Sequence, residues 1–156
     1  MSLPINSVRL DTLLFLKKKI MIQLTKNEIN HTEVTESVRS HNAGAVVLFL
    51  GTVREMTEGK RTLALDYDAY SEMAEVKLAE LEKLAFEQWE ITKVTIVHRL
   101  GHLDLGDISV AVAVSSPHRG DSFEAGRFII DKLKETVPIW KKEHWEDGST
   151  EWIHPQ

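Results

Sequence analysis

The hydrophobic pattern of the first half of the chain predicts several strands. Residues 22–24 form a short apolar run that suits a first strand. Residues 45–51 are apolar without interruption, which is typical of a strand buried on both faces. Residues 62–70 alternate between apolar and polar side chains, which predicts a strand buried on one face. The inner positions of that strand are Leu63, Leu65, Tyr67 and Ala69.

Other segments carry apolar residues at the spacing of one helical face. They are residues 32–39, residues 71–90 and a later segment that ends before Pro138. The residues expected to cap or begin these helices are Thr32 or Thr35, Ser71, and Asp121 or Ser122. The two longer helices have apolar stripes at Ala74, Leu78, Leu81 and Ala85, and at Gly126, Ile129, Ile130, Leu133 and Val137.

The second half of the chain predicts further strands at residues 94–101 and 107–116, joined by a turn from Gly101 to Gly106. A last strand is predicted at residues 151–153. Long helices therefore alternate with strands that are joined by hairpin-length links. This order predicts an α+β fold with a mostly antiparallel sheet.

The length of 156 residues suits one domain, with or without a small appendage. Residues 1–20 are either an extension upstream of a natural start at Met21 or an additional N-terminal element. Their lysines follow a short apolar run, which is the wrong order for a signal peptide. No apolar run approaches the roughly 18 residues of a membrane span. We therefore expect residues 21–156 to form one cytoplasmic domain.

The composition excludes several kinds of site. The chain has no cysteine, which excludes disulfides, thiolate metal sites and cysteine nucleophiles. A net charge of −5 argues against non-specific nucleic-acid binding but allows a local cationic pocket. None of the seven histidines has the spacing of zinc ligands, so no metal site is expected. His98 and Arg99, at a strand end, suit either a weaker anion site or a structural histidine bonded to the backbone.

Two groups of cations follow predicted strands and suit an anionic ligand. His118 and Arg119 lie between a strand and a helix N-terminus, where backbone amides and the helix dipole favour anions. The alternative is a solvated loop whose side chains cap neighbouring carbonyls. Arg54 lies in a polar loop, either facing the same ligand or on the surface beside Glu55 and Glu58.

The segment around Pro138 places apolar bulk between lysines. Lys134 lies in the last helical turn at the border of the apolar stripe, so its stem can pack while its amine faces a cleft. Pro138 ends the helix, and Ile139 and Trp140 would form an apolar wall. The break then turns the chain so that Lys134 and Lys141 face one pocket. Alternatively, both lysines are solvated at a helix C-terminus, where cations are favourable.

Several short motifs occur in a specific order along the chain. The most specific is HR-x₃-F followed by LK-x₃-P-x-WKKE, within residues 115–143. The others are FLGTVRE, LDYDAYSEMA, VHRLGHLDLGD and DG-x₃-W, at residues 49–55, 65–74, 97–107 and 147–152. In this order the chain resembles the large, catalytic subunits of molybdopterin synthase. The resemblance covers most of residues 45–152, and residues 1–20 have no counterpart in it.

The resemblance implies a fold, a reaction and partners. The fold has an α/β-hammerhead portion and an additional β-rich portion. The reaction converts cyclic pyranopterin monophosphate into molybdopterin, with sulfur from the C-terminal thiocarboxylate of a small ubiquitin-like subunit that ends in Gly-Gly. Two copies of the large subunit form the centre of a heterotetramer. The pterin is a substrate, and no cofactor, membrane or nucleic acid is implied.

The resemblance also implies roles for individual residues. Lys134 is the essential catalytic lysine, acting as general acid/base or briefly as amine nucleophile, and Lys141 is the second, stabilising negative charge. The residues implied to bind substrate are Arg54, His118 and Arg119. The residues implied to line or support the pocket are Phe49, Pro138, Trp140 and Glu143. Two other readings stay open, namely a non-catalytic module that binds the small subunit's tail and a sensor of phosphate ligands.

Overall fold

A computed structural model describes residues 22–153, so the predicted extension at residues 1–20 lies outside the described residues. Within them the chain forms nine strands and three helices. The strands are β1 (Ile22–Thr25), β2 (Ala45–Thr52), β3 (Met56–Thr57), β4 (Lys60–Ala69), β5 (Lys93–Arg99), β6 (Gly101–Asp104), β7 (Ile108–Ser116), β8 (Ile139–Trp145) and β9 (Thr150–Ile153). The helices are α1 (His31–Val38), α2 (Ser71–Gln88) and α3 (Arg119–Thr136). The predicted α+β class with mostly antiparallel strands is confirmed.

The first sheet has four strands in the order β1-β5-β7-β2, and helices cover both of its faces. Only β1 and β5 are parallel. The central strand β7 packs Val112 and Val114 against α2 and α3, and packs Ala111 and Ala113 against α1. Burial on both faces explains the continuous apolar sequence of this strand.

The predicted double-sided burial of residues 45–51 is wrong. The strand exists as β2, but it lies at the edge of the first sheet, beside β7. The side chains of Val46 and Phe49 are 37% and 36% exposed. An uninterrupted apolar run predicts a strand but does not say whether that strand lies at the edge or inside the sheet. Here β7 lies inside the sheet and is covered by helices on both faces.

The second sheet forms around β4 and corresponds to the implied β-rich portion. β4 pairs antiparallel with β3, β6 and β8, and β8 pairs with β9. The turn predicted from Gly101 to Gly106 is therefore wrong over its first part, because Gly101–Asp104 is a strand of this sheet. Gly101 and Gly106 have positive φ angles, 88° and 84°, which residues other than glycine rarely adopt. They bend the chain out of β5 and back into β7.

One inner position predicted for β4 is on the wrong face. Leu63 is 50% exposed, whereas its neighbours Thr62 and Ala64 are buried. The pairing of β4 with β8 shifts register between Thr62 and Ala64, and such an irregularity reverses the alternation of side chains. Beyond it, Leu65 points inward as predicted.

The helices have the predicted stripes, and α2 begins at Ser71 as predicted, whereas α1 and α3 begin at His31 and Arg119. The cap of α1 is Asn30, whose Oδ1 accepts from the amides of Thr32 and Glu33 at 3.1 and 3.2 Å. The Thr35 hydroxyl instead donates to the carbonyl of His31 inside the helix. The residues before α2 and α3 are Tyr70 and His118, and neither makes a side-chain cap. In residues 22–153, no helix combines the length and apolar character needed to cross a membrane.

We expect Asn30→Ala to lower the free energy of unfolding by about 1 kcal/mol, because two amides at the start of α1 lose their acceptor. Urea unfolding followed by circular dichroism measures this change. Thr32→Ala is the matched control, and we expect an effect within about 0.5 kcal/mol. Equal effects of the two substitutions would contradict the assignment of the cap.

Candidate active site

A cavity of about 890 Å³ lies where the two sheets meet the last turns of α3. Its walls come from the end of β2, the middle of β4, the end of β5, the start of β7, and strands β8 and β9. The charged residues that line it are Arg54, Lys134, Lys141, Asp131, Glu135 and Glu143. Elements that are distant in the chain thus contribute to one site, as is usual for ligand pockets.

Lys134 and Lys141 line the same cavity, as the break at Pro138 predicts. Lys134 is in the last turn of α3, and Lys141 is the third residue of β8. The amide of Tyr70 donates to the carbonyl of Pro138, which directs the chain from the helix into β8. The structure differs from the prediction in one respect, since Lys134 is exposed rather than packed along its stem. It therefore lies at the open side of the cavity.

Lys141 is held by a buried carboxylate. Its Nζ lies 3.2 Å from Oε1 of Glu143, which is only 1% exposed. The hydroxyl of Thr62 donates to the other carboxylate oxygen, Oε2, at 2.8 Å. A buried charge is costly unless it is paired and hydrogen-bonded, and here both conditions are met. Glu143 thereby positions the ammonium of Lys141 at the cavity wall.

His98 is a neutral histidine at the cavity wall. Burial lowers its pKa to about 4, a bond to the Arg99 carbonyl opposes this shift, and the charge of Lys134 adds to it. Its Nδ1 lies 2.9 Å from that carbonyl, which can only accept, so Nδ1 carries the proton and Nε2 is unprotonated. The predicted bond to the backbone is confirmed, and His98 also lines the cavity.

Tyr67 is a second cavity residue that sequence reasoning missed. Its ring meets the His98 ring edge-on, with 5.0 Å between centroids. Burial raises the pKa of its hydroxyl, and the charge of Glu143 adds to this effect. The alternating pattern of β4 predicts that Tyr67 is on the inner face, and this is the sequence feature that indicates its place beside the cavity.

The cavity's charges are unevenly paired. Asp131 and Glu135 form ion pairs along α3 with Arg127 and Lys132, at 3.7 and 2.9 Å. Within residues 22–153, no carboxylate oxygen lies within 4.0 Å of the charged nitrogens of Arg54 or Lys134. Glu55, proposed as a neighbour of Arg54, pairs with Arg61 instead. Two cations are therefore available to an anionic ligand.

His118 and Arg119 do not line this cavity, although both were predicted to bind substrate there. They are exposed at the N-terminus of α3, where the Ser116 hydroxyl donates to the carbonyl of His118. Lys134 is at the opposite end of the same helix. At a rise of 1.5 Å per residue, Arg119 and Lys134 are separated by about 22 Å along the helix axis. Within one chain, the helix holds these residues apart.

Two further predicted pocket residues lie beside the cavity rather than in its wall. Ile139 lines the cavity, and the next residue, Trp140, projects from the opposite face of β8. Its ring meets Tyr70 edge-on with 5.0 Å between centroids. Pro138 also lies outside the wall and acts through the chain break. The prediction that Ile139 and Trp140 form one apolar wall is wrong, because neighbouring strand residues face opposite sides.

The family described as MoaE protein has a model that matches residues 24–136. The molybdopterin synthase catalytic subunit of Halalkalibacterium halodurans is 52% identical over 124 residues, which cover 80% of this chain and 79% of that protein. The chain belongs to the MoaE family. The Bacillus subtilis protein of the same name is 47% identical over 134 residues, with 86% of this chain and 85% of that protein covered.

The MoaE fold is also found among solved structures. The crystal structure of molybdopterin synthase from Staphylococcus aureus matches with a TM-score of 0.79 at 45% identity. The match covers 83% of this chain and 94% of that chain. The family resemblance drawn from the motifs is confirmed.

In this MoaE chain we expect His98 to titrate near pH 4 rather than near 6.5, because burial disfavours its charged form. The unfolded chain takes up this proton below pH 6.5 and the folded chain does not. The free energy of unfolding therefore falls as the pH drops from about 6.5 to about 4, by on the order of 3 kcal/mol.

Nuclear magnetic resonance of the ring nitrogens measures the titration directly. His98→Phe, which keeps a ring beside Tyr67, assigns the His98 signal and removes this part of the pH-dependent loss of stability. A midpoint near 6.5 would show that burial does not control the pKa of His98.

Proposed function

We propose that this chain is the sulfur-transferring subunit that converts cyclic pyranopterin monophosphate into molybdopterin. The observation that carries the proposal is the convergence of Arg54, Lys134 and Lys141 on one cavity. Relatives at 47–52% identity are molybdopterin synthase catalytic subunits, and this supports the same activity here. The reaction requires no resident cofactor and takes place in the cytoplasm.

The cavity suits an anionic, planar substrate. Arg54 and Lys134 lack carboxylate partners within 4.0 Å among residues 22–153, so the cyclic phosphate can pair with them. The guanidinium of Arg54 offers the planar pair of donors that phosphate accepts best. Phe49 adds an exposed aromatic ring beside these charges, against which the pterin plane can stack.

Lys134 and Lys141 have different roles in sulfur transfer. Lys134 is exposed at the open side and acts as general acid/base, or briefly as amine nucleophile, on the incoming thiocarboxylate. Lys141 is held in place by Glu143 and donates to the negative charge that develops on the thioacyl oxygen. Because its position is set before substrate binds, this donor needs little reorganisation during the reaction.

The sulfur donor is a small ubiquitin-like subunit with a C-terminal Gly-Gly thiocarboxylate. Each tail carries one sulfur and the dithiolene product has two, so two tails are consumed per product. The tail reaches the open side of the cavity, where Lys134 lies. Two copies of this chain form the central dimer of a heterotetramer with two small subunits.

His118 and Arg119 act in the site of the second copy. They are exposed cations at a helix N-terminus, which suits an anion, but α3 holds them about 22 Å from Lys134 of their own chain. A dimer can bring the start of α3 from one copy to the cavity of the other. Each substrate then contacts Lys134 and Arg54 of one chain and His118 and Arg119 of its partner.

We expect Lys134→Ala to lower turnover by at least about 10²-fold, the usual cost of removing a donor or base from a reacting centre. The assay combines this chain with thiocarboxylated small subunit and cyclic pyranopterin monophosphate, and quantifies the dithiolene product. Lys77→Ala is the matched control, because Lys77 pairs with Glu80 on α2 and neither residue lines the cavity.

Near-normal turnover by Lys134→Ala would defeat the assigned role. If the wild-type chain binds the small subunit but yields no product, the chain is a module that binds the tail. If it binds the pterin without any effect of the small subunit, it is a sensor of phosphate ligands.

We expect Arg119→Ala to weaken substrate binding and to complement Lys134→Ala in mixed dimers. If Arg119 acts across the dimer, a mixed dimer contains one intact site, formed by Lys134 of one chain and Arg119 of the other. The same assay on co-expressed variants, at a substrate concentration too low for the Arg119→Ala homodimer to turn over, should then recover activity that neither homodimer has. If the two residues act within one chain, every site in the mixed dimer carries one defect and no activity returns.

A further inference from the structure

Asp66, His102 and His144 meet on the face of the second sheet that points away from the cavity. Asp66 Oδ1 lies 2.8 Å from Nδ1 of His102, and Asp66 Oδ2 lies 2.5 Å from Nε2 of His144. One ligating atom from each residue lies within 4.8 Å of the other two. The proposed sulfur transfer uses none of these groups.

Strand pairing builds this cluster from residues that are distant in the chain. β4 lies between β6 and β8, and its Asp66 is directly opposite His102. His144 is opposite Ala64, one side-chain position further along the same face. Because side chains alternate, Leu65 of β4 lines the cavity while Asp66 projects from the other side. Because the three residues are far apart in the sequence, no spacing of metal ligands along the chain predicts this cluster.

The separations fit a small divalent ion. Zinc binds imidazole nitrogen and carboxylate oxygen at about 2.0–2.2 Å, which puts tetrahedral ligand atoms about 3.4 Å apart. The two contacts of Asp66, at 2.8 and 2.5 Å, are hydrogen bonds shorter than this by about 0.6 and 0.9 Å, and all three ligand atoms lie within 4.8 Å of one another. An ion would therefore replace the two hydrogen bonds and move the carboxylate of Asp66 away from both rings. The side chains of His102 and His144 are 57% and 31% exposed, so an ion and a completing water have access.

A fourth residue holds one ligand in the orientation that metal binding needs. Nε2 of His102 lies 3.2 Å from Oδ1 of Asp104, while Nδ1 faces Asp66. Histidine ligands commonly donate their second ring N–H to a carboxylate, which fixes the tautomer and strengthens the ligand. Asp104 therefore orients the ring of His102 but is not one of the three ligands.

The charges around the cluster favour a cation. Asp66 and Asp104 are both carboxylates, and exposed Asp68 is two residues along β4 on the same face. Lys142 is opposite Asp66 on β8, but its Nζ lies over the ring of Trp152, 5.7 Å from the centroid. The nearest strand-paired cation is therefore directed towards an aromatic ring.

We propose that Asp66, His102 and His144 form a binding site for one divalent transition-metal ion, with Zn²⁺ as the best-fitting ion. Two imidazoles and one carboxylate suit zinc, whereas Mg²⁺ and Ca²⁺ prefer oxygen ligands alone. The ion would link β4, β6 and β8 from the side opposite the cavity. This site departs from the expectation, based on sequence spacing, that the chain has none.

Calorimetric titration of the untagged, chelator-treated full chain with ZnCl₂ tests the proposal, with MgCl₂ as the comparison ion. We expect one Zn²⁺ per chain and no measurable Mg²⁺ binding. The double variant His102→Gln/His144→Gln should lose at least about 100-fold in zinc affinity. Asp104→Asn should lose about 10- to 100-fold, the usual effect of removing a partner of a ligand.

The matched control is His31→Gln/His41→Gln, which removes two exposed histidines outside the cluster and should leave affinity unchanged. Wild-type chain that binds no zinc at submillimolar concentration would overturn the proposal, as would equal affinity of the cluster variant. If that variant fails to fold, ring-nitrogen resonances of the wild type decide. Zinc should shift those of His102 and His144, and shifts confined to His31 and His41 would sink the site.

Discussion

The antiparallel pairing of β8 with β4 is the interaction on which the site depends. It begins at Ala69 opposite Ile139, directly after the break at Pro138, and continues to Trp145. Because alternate residues of a strand face opposite sides, this one pairing sends Lys141 and Glu143 into the cavity. The same pairing sends His144 to the outer face beside Asp66. A shift of one residue in the register would exchange the two sets of side chains.

The buried carboxylate of Glu143 links this pairing to the chemistry. Glu143 contacts Lys141 on its own strand and Thr62 on β4, so its two oxygens have partners from both strands. Such a pair adds little net stability, because removing two charges from water costs about as much as their attraction returns. The pair instead fixes the position of the Lys141 ammonium, which is held beside the carboxylate of Glu143. The cavity thus combines a fixed cation on a strand with exposed cations at Lys134 and Arg54.

Helix α3 explains why the predicted site residues separate into two groups. Its N-terminus carries His118 and Arg119, and its last turn carries Lys134. A straight helix of this length holds them about 22 Å apart, however close they appear in a motif. Motifs that adjoin in the sequence, such as HR-x₃-F and LK-x₃-P, can therefore lie at opposite ends of one helix.

Sequence patterns alone predicted the three helices and six of the nine strands of residues 22–153, together with the apolar stripes of α2 and α3, the break at Pro138 and the family. These properties depend on residues within one element or one motif, and periodicity reports them directly. Strands β3, β6 and β8, the edge position of β2 and the meeting of His102 with His144 became known only from the folded structure. Those features depend on which distant strands pair, and long-range burial and hydrogen bonding select the pairing. Local patterns carry little information about such choices, because an apolar strand fits an edge or a centre equally well.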